Sequence, residues 1–192
     1  MKLIACGIFK RELEKVQSEA PDIFAGIETE FLTPALHVSL AALEKEVTSR
    51  LEIEPQPALL YGCNCHPELK EICREANCLL PQGVDCAQVL AGKEFLQEIS
   101  QGSNDFYLTP GWLEHADEIF KHGLGWDSID ARQNLGFYDR MVLLDTDVRP
   151  IDDLEILGFY DYCQVPIERV ALSLQFFKQN LLQMLSDRKN RR

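Results

Sequence analysis

Short apolar runs alternate along this chain with segments of helical periodicity, and no other feature constrains the fold as strongly. Lys2 to Ile8, Ala58 to Tyr61 and Met141 to Leu144 are too short for helices and read as buried strands. Gly26 to Leu32, Cys78 to Pro81 and Asp105 to Leu108 supply three weaker strands, the first interrupted by Glu28, Thr29 and Glu30. Between them lie helical patterns. Lys10 to Ala20 places Leu13, Val16 and Ala20 on one face, with Pro21 closing it. Leu36, Leu40, Leu43, Val47 and Leu51 form a second stripe behind Thr33-Pro34, a cap followed by a first-turn proline. Further helices are expected over Pro67 to Ala76, over Cys86 to Ile99 behind a capping Asp85, and from Leu113 to about Tyr138 with a break near His122 to Trp126. The last, Ile167 to Leu185, carries the stripe Val170, Leu174, Phe177, Leu181, Met184 and Leu185. Strands alternating with helices predict an α/β three-layer sandwich with a mostly parallel sheet. With 192 residues the chain is expected to form one domain over 1–192.

Composition narrows the class of partner. A hydrophobic fraction of 46% and a charged fraction of 26% are those of a soluble globule. The formal net charge of -12 argues against a nucleic-acid surface, which needs clustered Lys and Arg. The one basic cluster, Arg188-Lys189-Asn190-Arg191-Arg192, reads as a solvated helix end. No apolar run approaches the roughly 20 residues of a membrane span. Seven cysteines without a secretion signal favour reduced thiols in a cytoplasm over a disulfide framework.

In a parallel sheet all strand carboxyl ends share one edge, and ligands bind in the crevice there. The unusual residues of this chain fall at those ends. Cys6 follows the first strand, His37 the second, and Cys63 and Cys65 the third. Cys86 follows the fourth, Thr109-Pro110-Gly111-Trp112 the fifth, and Asp145-Thr146-Asp147 the sixth. The leading expectation is a zinc site of Cys63, Cys86 and His37 with Cys6 as a fourth ligand, since zinc takes such a set tetrahedrally. Thr109 and Trp112 are the expected cofactor-binding residues, and Asp145 a catalytic acid/base or a group supporting the ligands. Each has a blander reading. Free cysteine packs like a small hydrophobe, Trp112 suits a pocket wall, and Asp145-Thr146-Asp147 suits a helix cap or a Mg²⁺ site. Cys73, Cys78 and Cys163 read as inert core thiols, and His66 as a residue at a helix start. A nucleophilic cysteine with His66 or His37 as base stays open. So does an iron–sulfur cluster, given the cysteines gathered between Cys63 and Cys86. GxGxxG, P-loop and G-x-S-x-G motifs are missing, so no dinucleotide, nucleoside triphosphate or serine-hydrolase site is signalled.

Several of these pieces together resemble the uncharacterised prokaryotic family known as domain of unknown function 1638. They are Leu3-Ile4-Ala5-Cys6-Gly7, Leu36-His37, Tyr61-Gly62-Cys63, Asp85-Cys86 with Gly92, Leu108-Thr109-Pro110-Gly111-Trp112 and Leu143-Leu144-Asp145-Thr146. Two departures are Asn64-Cys65 with His66, where the family pattern has Gly, and a missing Gly around Leu172-Ser173-Leu174. The first makes Cys65 a substitute for, or an addition to, a ligand set built on Cys63. The resemblance implies a setting beside corrinoid-dependent methyltransferases, hence one-carbon methyl transfer or its maintenance.

Two principal functions follow as expectations. One is a cytoplasmic metalloprotein whose zinc acts as a Lewis acid on a thiol or water in corrinoid-linked methyl transfer. The other is a non-catalytic module that holds a metal, a small-molecule or corrinoid ligand, or a methyltransferase partner.

Overall fold

The computed structural model describes residues 1–53, 55–100 and 102–190. The α/β class and the parallel strands are found, but the strands are divided between two sheets. In the first, β1 (Lys2–Cys6) lies between β2 (Glu28–Leu32) and β3 (Ala58–Leu60). In the second, β5 (Arg140–Asp145) lies between β4 (Asp105–Leu108) and β6 (Ile167–Ala171). All four pairings are parallel, with Cys6 level with Leu32, Ala5 with Leu60, Leu108 with Leu143, and Asp145 with Ala171.

The central strands are apolar throughout because both of their faces are covered. Leu3, Ile4 and Ala5 are fully buried in β1. In β5 the faces alternate between two cores. Val142 and Leu144 join the core built on β1, β3 and α10 (Gln175–Asn190), where Phe177 stacks on Phe9 at 5.6 Å. Met141 and Leu143 face a second core with α8 (Ser128–Leu135) and α9 (Asp153–Cys163). The strand thus ties the two halves together.

The remaining helices are α1 (Lys10–Glu19), α2 (Pro21–Phe24), α3 (Leu40–Leu51), α4 (Leu69–Glu75), α5 (Cys86–Ala91), α6 (Lys93–Ser100) and α7 (Pro110–Glu114). Several expectations are corrected. Cys78 to Pro81 forms only a single bridge, Leu79 to Ala58, because Pro81 offers no N–H to continue a ladder. The segment expected as one helix from Cys86 to Ile99 breaks at Gly92, whose φ of 84° lies outside the helical range. Ile167 to Ala171 is an edge strand, and the last helix begins at Gln175. The stripe beginning at Leu36 is divided: Pro34–Val38 is a 3₁₀ turn, Ser39 caps α3, and Leu40 is 49% exposed. The stretch from Leu113 to Tyr138 resolves into the end of α7, a π-helical turn over Asp117–Gly123, and α8.

Of the basic terminus, Arg191 and Arg192 lie outside the described residues, while α10 continues to Asn190. Among the described residues no helix is long and apolar enough to cross a membrane.

Candidate functional site: a thiol cluster at the strand carboxyl ends

Three glycines let the loops at the strand ends pack backbone against backbone. At the end of β3, Cys63 N–H donates to the Gly83 carbonyl at 3.2 Å and Asn64 N–H to the Val84 carbonyl at 2.7 Å. A Cβ on Gly62 would stand 2.4 Å from the Asp85 Cα, so only glycine permits this approach. Asp85 accepts from the Gln88 N–H at 2.8 Å and starts α5, which fixes Cys86 as its first residue. After β4, Thr109 caps α7 by accepting from the Trp112 N–H at 3.3 Å. A Cβ on Gly111 would stand 2.0 Å from the Ile8 carbonyl oxygen, and one on Gly7 2.8 Å from that of Leu32. The ends of β1, β2, β3 and β4 are thereby held in one place.

This packing gathers Cys6, Cys65 and Cys86, whose thiols feel one another electrostatically. Cys65 and Cys86 open onto a cavity of about 360 Å³, shared with His37, Asp85 and Trp112 and walled by Phe106, Tyr107 and Tyr138. Cys6 is buried behind it. Burial is the main influence on all three sulfurs. It pushes Cys6 up to about 12 and Cys86 up to about 11, the latter offset in part by the Trp112 bond, and it also raises Cys65. His37 meets the Trp112 ring edge-on at 5.3 Å, and burial lowers its pKa, keeping the imidazole neutral. A neutral imidazole is the form that ligates metals.

Two hydrogen-bond donors reach toward these sulfurs. The Trp112 indole Nε1–H donates to Cys86 Sγ at 3.3 Å. The Tyr61 hydroxyl sits beside the Cys6 and Cys65 thiols, yet it is fully buried with no hydrogen bond of normal geometry. The register that sets Ala5 level with Leu60 carries Cys6 and Tyr61 to the same height. A buried hydroxyl with no well-formed hydrogen bond is uncommon and calls for an explanation. A neutral thiol is a weak acceptor, and a thiolate a strong one.

The structure brings together Cys6, Cys86, His37 and Trp112 of the expected set. Cys63 does not line the cavity. It is half-buried, with its thiol donating weakly to Asn64 Oδ1 at 3.7 Å, and Cys65 occupies the position next to Cys86. Thr109 is buried as a cap rather than open to the cavity. Asp145 is engaged elsewhere. Its Oδ2 accepts from Arg169 Nε at 2.7 Å and its Oδ1 from the Asp147 N–H at 3.0 Å. Cys73, Cys78 and Cys163 are buried. His66 is buried too, its Nδ1 accepting from the Glu68 N–H at 3.2 Å at the start of α4. Tyr61 was missed as a site residue, since in the sequence it reads only as the end of an apolar strand. Among the described residues no three His, Cys, Asp or Glu side chains already stand in an arrangement that holds an ion.

In comparison with protein families, residues 31–181 fit a family described as "Protein of unknown function (DUF1638)". Searches of curated proteins and of solved structures found no match.

Proposed function

We propose that this chain, which belongs to the DUF1638 family, holds a zinc ion on Cys6, Cys65 and Cys86, with His37 as the imidazole that lines the same cavity. The observation that carries the reading is the buried Tyr61 hydroxyl, which lies against the Cys6 and Cys65 thiols with no hydrogen bond of normal geometry, while Trp112 donates to Cys86. Donors aimed at sulfur are the usual surroundings of metal thiolates, where they orient the ligands and spread their charge. Zinc would displace the thiol protons and turn the sulfurs into stronger acceptors for both donors.

The same features disfavour a lone nucleophilic cysteine. Burial holds these thiols neutral, and the His37 imidazole in the same cavity is itself kept neutral, so it forms no ion pair that would generate a thiolate. The aromatic cavity beside Cys65 and Cys86 is the place for a small ligand, whose thiol or water the metal would polarise. The setting suggested by the family's resemblance, corrinoid-linked methyl transfer in a cytoplasm, is the context in which we place this chemistry. One domain over residues 1–192, tied together by β5, is part of the same reading.

Elemental analysis of protein purified anaerobically without a tag tests it. About one zinc per chain is the expected result. Seven thiols titrating free with no bound metal would overturn the reading, and iron with sulfide would replace zinc by a cluster on the same cysteines.

A further inference from the structure

The cavity in front of Cys65 and Cys86 has a wall that metal binding leaves unexplained. Four aromatic side chains, Phe106, Tyr107, Trp112 and Tyr138, line its volume of about 360 Å³. All four are only half-buried, which leaves part of each ring to the cavity. Two are fixed by hydrogen bonds. The Tyr107 hydroxyl donates to the Leu96 carbonyl at 2.9 Å, and the Trp112 indole donates to Cys86. Phe106 stands at 89° to Trp112 with centroids 6.1 Å apart, and at 65° to Tyr138 at 5.2 Å. Rings set so steeply bound a rounded space, and neither pair offers the parallel faces between which a planar ligand stacks.

Charge selects among the compact groups that fit such a space. Two carboxylates line the cavity. Asp105 is engaged: it accepts from Arg140 Nε at 2.9 Å, from Arg140 Nη2 at 3.2 Å and from the Ser103 hydroxyl at 2.6 Å. Asp85 is exposed, uses Oδ1 to cap α5, and pairs with no cation among the described residues. Among the described residues no Lys or Arg lines the cavity, and burial keeps His37 neutral. The cavity thus offers electron-rich rings and one uncommitted negative charge, with no cation to hold an anion. Such a site prefers a cation that gives up its water easily. A methylated ammonium does so, because its charge is spread over methyl groups that pack on ring faces, whereas a bare ammonium is strongly hydrated.

We propose that this cavity binds a small molecule through a methylated ammonium group, enclosed by Phe106, Tyr107, Trp112 and Tyr138 and balanced by Asp85. The proposal rests on the reading of this cavity as the place for a ligand and names the class of that ligand.

The test titrates the isotope-labelled full chain with tetramethylammonium chloride by NMR. Uncharged tert-butanol, of similar shape, and sodium chloride are the parallel probes. Saturable binding of tetramethylammonium is expected, with shifts centred on the Trp112 indole and on the amides of Asp85, Phe106 and Tyr138. Binding of tert-butanol should be about tenfold weaker or less. Phe106→Leu and Tyr138→Leu should each weaken tetramethylammonium binding roughly fivefold, the size of one cation–π contact. Asp85→Asn should weaken it about threefold, because Asn still caps α5 but carries no charge. Neither Phe106 nor Tyr138 is a zinc ligand, so the zinc content of the same samples separates this proposal from the metal site. Ammonium binding without zinc would support the aromatic cage and overturn the metal, whereas zinc without saturable ammonium binding would overturn the cage alone. Equal binding of tert-butanol, or an affinity unchanged in both Phe106→Leu and Tyr138→Leu, would also overturn the proposal. Should Phe106→Leu fail to fold, Tyr138→Leu and Asp85→Asn decide.

Discussion

The two sheets end differently. At the carboxyl end of the first, Cys6 and Tyr61 lie in a buried cluster where the Tyr61 hydroxyl has no hydrogen bond of normal geometry. At the carboxyl end of the second, Asp145 is clasped by Arg169 through bonds of 2.7 Å and in turn holds the Asp147 backbone. Both ends carry residues with chemical potential. A satisfied ion pair maintains structure and leaves little to offer a ligand, whereas buried thiols and a hydroxyl without good acceptors mark a place made for something else.

Four substitutions probe this contrast. Gly111→Ala should have the largest effect, because its Cβ would meet the Ile8 backbone and neither side can yield cheaply. A loss of about 3 kcal/mol is expected from chemical denaturation. A loss below about 1 kcal/mol would show that the strand-end packing is softer than described.

Trp112→Phe keeps most of the wall and removes the N–H to Cys86. Zinc affinity should fall roughly tenfold, as for other groups that orient metal ligands, with the fold intact by circular dichroism. An unchanged affinity would remove Trp112 from the site.

Glu12→Gln should show its effect through pH. The folded state raises the Glu12 pKa by burial, so this residue stabilises the fold fully below its unfolded pKa. That contribution is lost as pH rises from the unfolded toward the folded value. Glu12→Gln should thus stabilise the protein at neutral pH relative to its effect in acid, as read by thermal melts across that range. The opposite trend would mean that Glu12 is held as a carboxylate.

The smallest effect is expected from Asp145→Asn. The Arg169 side chain is 42% exposed, which limits the pair to about 1 kcal/mol or less. Metal content should stay the same; its loss would show that the ends of the two sheets are not as distinct as their hydrogen bonding suggests.

Much of this arrangement was legible in the chain. The apolar runs that became β1, β3 and β5 announced buried strands, and Cys6, His37, Cys86 and Trp112 were placed around one crevice by the logic of parallel sheets alone. What was not legible depends on contacts distant in sequence. Cys65 rather than Cys63 faces Cys86 because the loop pairs with Gly83 and Val84, and no local pattern encodes that pairing. Ile167 and Val170 stand three residues apart, a spacing that suits a helix, but the parallel register with β5 makes them an edge strand. Glu12 sits among Lys10, Arg11 and Glu14 and reads as part of a solvated helix face. Only its bond to Thr146, 134 residues away, shows that it is buried.

The central claim, a metal held by the buried thiols, is tested most directly by comparing the zinc content of Cys65→Ser and Cys63→Ser purified side by side. The account predicts loss of zinc from Cys65→Ser and about one zinc per chain in Cys63→Ser. Zinc retained in Cys65→Ser and lost from Cys63→Ser would contradict it.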